Sequence, residues 1–78
     1  KIDLNIQNYD GNTPFYTACK GGCLEIVELL IKDERIDLNK KENTQRFSPL
    51  LIACSKGHLE IVKIMMENER VDINQEVN

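Results

Sequence analysis

The 78-residue sequence predicts an all-α fold, a solenoid of antiparallel helix pairs joined by β-hairpin-like loops. The first observation is a unit of about 35 residues that occurs twice in tandem. Within it, Ala18-Cys19 recurs as Ala53-Cys54, and Leu24–Val27 recurs as Leu59–Val62. The second observation is that each copy contains two short helical segments, the second of which is apolar around most of its circumference. Such units stack, because one unit alone cannot bury its apolar faces.

The first helix of each copy is predicted from the residues at its ends. Thr13-Pro14 and Ser48-Pro49 place a hydroxyl at the N-cap and a proline at the first helical position. Gly22 and Gly57 follow about two turns later, where a left-handed residue ends a helix. We therefore expect two first helices of about two turns each.

The second helices are predicted over Leu24–Asp33 and Leu59–Asn68. Their polar residues form one narrow stripe, which consists of Glu25, Glu28 and Lys32 in the first copy and Glu60, Lys63 and Glu67 in the second. A surface helix usually has the opposite balance, so other units are expected to cover these helices on several sides. The copies are therefore expected to belong to a longer array, with uncapped ends through which chains can self-associate. The apolar residues at those ends are Leu4, Ile6, Ile64, Met65 and Met66.

The closing segment of the unit sets the predicted division of the chain. Asp3-Leu4-Asn5 recurs as Asp37-Leu38-Asn39 and again as Asp72-Ile73-Asn74. We expect residues 1–7 to end a preceding repeat, and residues 8–42 and 43–77 to form two repeats. The first interval between closing segments is one residue shorter than the second, so the loop before Ser48 has gained a residue.

These motifs resemble the ankyrin repeat over nearly the whole chain. The family pattern Thr-Pro-Leu-His-x-Ala-Ala, followed by Gly-His-Leu-Glu-Ile-Val, is similar to Thr13–Cys19 and Gly22–Val27. It is similar again to Ser48–Cys54 and Gly57–Val62. The resemblance implies an ankyrin-repeat solenoid.

Two departures from the family pattern lie in the hairpins and first helices. The histidine of the first-helix motif is replaced by Tyr16 and by Leu51. The turn glycine is kept as Gly11 but becomes Arg46 in the second copy, within the loop that gained a residue. We expect the second hairpin to be looser or differently shaped.

The resemblance implies a protein–protein interaction module that binds a protein partner through a concave face of hairpin tips and first helices. Carried over position by position, the expected contact residues are Tyr9, Asp10, Asn12, Tyr16, Lys20, Thr44, Gln45, Phe47, Leu51, Ser55 and Lys56. Four of these are large side chains expected to point outward as anchors, namely Tyr9, Tyr16, Phe47 and Leu51. Two alternatives stay open. Phe47 and Leu51 could pack against the neighbouring hairpin, and the repeats could be structural spacers within a larger multidomain protein.

Cys19, Cys23, Cys54 and His58 have the donor types of a tetrahedral zinc site. The repeat explains them more simply, because they occupy two pairs of equivalent positions. Equivalent positions in adjacent units lie about 8–10 Å apart, too far for shared coordination. We expect no metal.

Neither a phosphate-binding glycine loop nor a catalytic triad can be assembled from this sequence. We therefore expect neither a cofactor nor enzymatic activity. The resemblance implies one modification, because asparagines of the Asp-x-Asn segment are hydroxylated in some ankyrin proteins. It points to Asn39 or Asn74. The simpler interpretation is that these side chains hydrogen-bond the turn.

The composition of the chain argues against one class of partner and favours one cellular compartment. A net charge of −3 and a pI near 5.0 argue against a nucleic-acid surface. Three cysteines cannot all pair within the chain, which favours a reducing, intracellular location, most simply the cytoplasm. The apolar segments are too short to insert into a membrane.

Overall fold

A computed structural model describes residues 4–43 and 45–73 of the chain. It contains four helices: α1 (Pro14–Gly21), α2 (Leu24–Ile31), α3 (Pro49–Ser55) and α4 (Leu59–Met66). The helices form two pairs, in which α1 packs against α2 and α3 packs against α4. Helix α1 also packs against α3, and α2 against α4. Within residues 4–43 and 45–73 there is no strand, so the predicted all-α repeat fold is confirmed.

The first helices begin and end as their capping residues predict. The Thr13 hydroxyl accepts a hydrogen bond from the Tyr16 amide at 3.1 Å, and Ser48 accepts one from the Leu51 amide at the same distance. After the helices, Gly22 and Gly57 adopt φ angles of 75° and 74°. Only glycine takes this left-handed conformation without steric strain.

The second helices are two residues shorter than predicted. Asp33 and Asn68, expected to end them, lie beyond α2 and α4. Each side chain instead accepts a hydrogen bond from the backbone N–H two residues later, at Arg35 (2.9 Å) and Arg70 (2.8 Å). Such Asx turns compete with the helical pattern, which explains why both helices end early.

The two hairpins differ in length and in their turn residue, as the sequence predicts. The first is closed by a bond from the Asn8 amide to the Asn12 carbonyl, and the second by one from the Glu42 amide to the Phe47 carbonyl. The second hairpin therefore encloses one more residue. Arg46 adopts a left-handed φ of 63°, in the same region as the φ of 81° at its counterpart Gly11. Glycine adopts this conformation without strain, whereas arginine does not.

A single apolar core joins the two helix pairs. Phe15, Val27, Ala53 and Met65 are all completely buried in it. The expectation that Met65 belongs to an exposed apolar end is wrong, because its sulfur lies 3.9 Å from that of Cys19 in the first helix pair. The core lies between the pairs, so each pair depends on the other.

Polar side chains connect successive units outside the core. Asn39 donates to the Arg70 carbonyl at 2.8 Å and accepts from the Asp72 amide at 2.7 Å. Asn5 likewise donates to the Arg35 carbonyl at 2.9 Å and accepts from the Asp37 backbone amide at 2.7 Å. The asparagine at this position thus bridges two units, whereas its counterpart Asn74, like residues 1–3, lies outside the described residues.

In the part of the chain that the structure describes, no helix has the length and apolar character needed to cross a bilayer.

Candidate functional site

A groove runs between the hairpins and the first helices of the two units. Its volume is about 280 Å³. We call it the central groove and define it by its lining residues, which are Asp10, Asn12, Tyr16, Lys20, Glu42, Gln45, Phe47, Ile52, Ser55 and Lys56. It is built by both units, because equivalent turns and helices are set side by side when α1 packs against α3.

The central groove brings together eight of the eleven predicted contact residues. These are Asp10, Asn12, Tyr16, Lys20, Gln45, Phe47, Ser55 and Lys56. Tyr9 is fully exposed at the first hairpin tip, and the half-buried Leu51 belongs to α3, but neither lines the groove. Thr44 lies outside the described residues. The contact role of all eleven stays a prediction.

Tyr16 does not point outward as predicted. Only 3% of the residue is exposed, because it belongs to the apolar core and forms the wall of the groove. Within residues 4–43 and 45–73, its hydroxyl makes no hydrogen bond. Burial raises the pKa of Tyr16, and the nearby Glu42 carboxylate raises it further. The phenol therefore stays protonated near neutral pH.

Phe47 packs against the apolar core and also lines the central groove. It is half-buried and packs against the apolar core. The same side chain forms part of the groove wall. Its aromatic ring therefore belongs both to the edge of the core and to the surface of the groove.

Two lining residues, Glu42 and Ile52, were not predicted. Glu42 is 6% exposed, and its carboxylate accepts hydrogen bonds from the backbone amides of Gln45 and, at 3.4 Å, Phe47. The longer second hairpin presents these amides, and an anionic acceptor satisfies them. A signal was present in the sequence, because the equivalent residue Asn8 is also polar. Its side-chain oxygen accepts hydrogen bonds from the backbone amides of Asp10 (2.9 Å) and Asn12 (3.0 Å) in the first hairpin.

The charges of the central groove are sorted along its length. Asp10 and Glu42 belong to the hairpins that precede the first helices. Lys20 is in the last turn of α1, and Lys56 directly follows α3. Both lysines are exposed and lie where the helix dipole favours a cation. The groove is thus acidic at its hairpin end and basic at its helix end.

Two of the four residues considered for zinc, Cys19 and His58, have separate places in the packing of the units. Burial raises the pKa of the Cys19 thiol to about 12, which disfavours the thiolate that a metal requires. His58 Nε2 lies 3.0 Å from the Lys20 carbonyl and so links the second unit to the end of α1. Cys23 and Cys54 are exposed thiols. Among the described residues, no three potential metal ligands of the His, Cys, Asp or Glu type lie together.

A second depression, of about 700 Å³, lies on the outer side of the first helix pair and is lined mainly by apolar atoms. It includes Ile26 and Leu30, whose counterparts Ile61 and Met65 are buried between the helix pairs. Ile26, in contrast, is 49% exposed. This surface has the composition of a stacking face between units and lacks the sorted charges of the central groove.

Comparison with known families matches residues 1–77 to ankyrin repeats, described as three copies. The match covers both helix pairs and both hairpins. A comparison with curated proteins gives no match.

Proposed function

Because the chain belongs to the ankyrin-repeat family, whose members generally act as protein-interaction modules, we propose that it binds a protein partner through the central groove. The family is typically not enzymatic, and the role proposed is binding alone. The observation that carries the proposal is the convergence of eight predicted contact residues on one groove.

The construction of the groove supports this role. Its inner wall is rigid, since Tyr16 and Glu42 are buried and the Glu42 carboxylate ties the second hairpin together. Its rim consists of exposed polar side chains, among them Lys20, Gln45 and Lys56. A fixed wall with an adaptable rim loses little conformational entropy when a partner binds.

We also propose that the chain acts inside the cell, most simply in the cytoplasm. All three cysteines are free thiols, and two of them are exposed. Exposed thiols persist in a reducing compartment, whereas an oxidising one would pair or modify them. The repeats are proposed to span residues 8–42 and 43–77, each contributing hairpin residues and one first helix to the groove.

Affinity capture from a lysate of the source cell, with matched variants, tests the proposal. Phe47→Ala and the double variant Lys20→Ala/Lys56→Ala change the groove. Leu29→Ala is the control, because Leu29 is 70% exposed on α2 and does not line the groove. Circular dichroism checks that every variant is folded.

We expect the wild type and the control to capture the same proteins, and both groove variants to lose at least one of them. Identical captures from all four proteins would contradict the proposal and favour structural spacer repeats. Loss of the same proteins in the control would place the contact on the second helices.

A further inference from the structure

The opposite ends of the central groove carry opposite charges. The carboxylates of Asp10 and Glu42 lie on the hairpins, and the ammonium groups of Lys20 and Lys56 lie where the first helices end. A ligand charged with only one sign would be attracted to one end and repelled by the other. The groove therefore favours a ligand that carries both charges.

The length of α1 sets the spacing between those two charges. From Pro14 to Lys20 the helix rises by about 9 Å, at about 1.5 Å per residue. The hairpin carboxylates lie beyond the start of the helix. An extended polypeptide advances about 3.3 Å per residue, so its two charged side chains should be three or four residues apart.

The Tyr16 hydroxyl supplies a recognition point between the ends. Only 3% of Tyr16 is exposed, and the residue lines the groove. Within the described residues, its hydroxyl forms no hydrogen bond. A protonated phenol donates a hydrogen bond. The nearby Glu42 carboxylate would repel a second anion there. A neutral acceptor such as a backbone carbonyl fits this position.

We propose that the central groove selects an extended polypeptide segment that carries one basic and one acidic side chain three or four residues apart. The basic side chain lies by Asp10 and Glu42, and the acidic one by Lys20 and Lys56. A backbone carbonyl between them accepts from Tyr16, and an apolar side chain packs on Phe47. The inference rests on the proposed function and adds the chemistry of the partner.

Selection from a random 12-residue peptide display library tests the inference. The bait is the wild-type chain, and each selected peptide is then measured against Phe47→Ala by fluorescence anisotropy. We expect enriched peptides that need Phe47 and that contain an acid and a base at the stated spacing. Enriched peptides that need Phe47 but lack this pair would overturn the inference and leave the proposed function standing. If no enriched peptide needs Phe47, both are wrong.

Point variants test each contact of a selected peptide. Tyr16→Phe should weaken binding about 3- to 10-fold, the effect of one hydrogen bond. Thr17→Ala, which removes an exposed hydroxyl of α1 outside the groove, should change nothing. Equal affinities for Tyr16→Phe and Thr17→Ala would overturn the role of Tyr16.

A double-mutant cycle tests the charge pairing. Lys20→Gln/Lys56→Gln should weaken binding of the parent peptide about 3- to 30-fold. The same double variant should have little effect on a peptide whose acid is replaced by the corresponding amide. An equal loss with both peptides would show that the lysines do not contact the acid, and would overturn the proposed orientation.

Discussion

Replacing Arg70 with alanine should destabilise the chain far more than the same change at the equivalent Arg35. The Arg70 guanidinium donates to four backbone carbonyls at the end of the preceding unit. They belong to Ile31 and Asp33, both at 3.4 Å, to Glu34 at 3.2 Å, and to Ile36. Arg35 instead forms an exposed ion pair with Asp33 at 2.8 Å.

The magnitude follows from these contacts. A hydrogen bond from a charged donor contributes about 1.5–3 kcal/mol when it is well formed and sheltered. Two of the four Arg70 contacts are long and the residue is exposed, so we expect a total loss of about 2 kcal/mol. For a chain of this length, that lowers Tm by roughly 8–16 °C. Arg35→Ala should leave Tm nearly unchanged, because exposed ion pairs contribute little.

Thermal unfolding followed by circular dichroism gives the Tm of both variants. Urea unfolding gives their free energies of unfolding. Unchanged m-values would show that the unfolded states are comparable. Equal losses at Arg70 and Arg35 would refute the reasoning, since the two residues would then contribute only through their own turns. A loss at Arg35 alone would refute it as well.

Three further predictions concern the turns, the buried thiol and metal. Gly57→Ala should lower the free energy of unfolding by about 1–2 kcal/mol from left-handed strain. Gly22→Ala should lower it more, because its Cβ would lie 2.7 Å from the His58 ring, and the difference should vanish in a His58→Ala background. Burial raises the pKa of Cys19 from 9.0 to about 12, so stability is fully present below pH 9.0 and is lost as pH rises towards 12. Between pH 8 and pH 10 the wild type should lose about 1.4 kcal/mol more than Cys19→Ala, measured by urea unfolding, and equal losses would contradict the cause given. Elemental analysis of the purified protein should find less than one zinc per chain, and stoichiometric zinc would contradict our interpretation of the cysteines.

Much of the scaffold could be predicted because its signals are local. The caps at Thr13 and Ser48 and the left-handed Gly22 and Gly57 act within a few residues along the chain. Their structures follow from backbone chemistry that does not depend on distant contacts. The extra residue of the second hairpin was equally visible, since the spacing of the repeat reveals it.

Contacts between units could not be predicted in the same way. Arg70 reaches the carbonyls of Glu34 and Ile36 in the preceding unit, a contact that the sequence pattern of its own unit does not reveal. Periodicity tells which face of a helix is apolar, but it does not tell what that face meets. The burial of Met65 and the exposure of Met66 depend on the neighbouring helix pair.

The groove was predicted in outline and missed in its chemistry. Asp10, Lys20 and Lys56 lie where the family resemblance places contact residues. Tyr16 was expected to point outward, whereas it forms the buried wall. Glu42 was missed because an acidic residue in a loop is ordinarily solvated, and only the three-dimensional hairpin brings two amides to its carboxylate.

Site-specific photo-cross-linking tests most directly whether a partner occupies the central groove. A photoreactive phenylalanine derivative is placed at Phe47 in the groove wall, and in a separate protein at Leu29 on the exposed side of α2. After irradiation in the source cell, we expect a protein adduct from position 47 and none from position 29. An adduct from position 29 alone, or the absence of any adduct from position 47, would contradict binding through the groove.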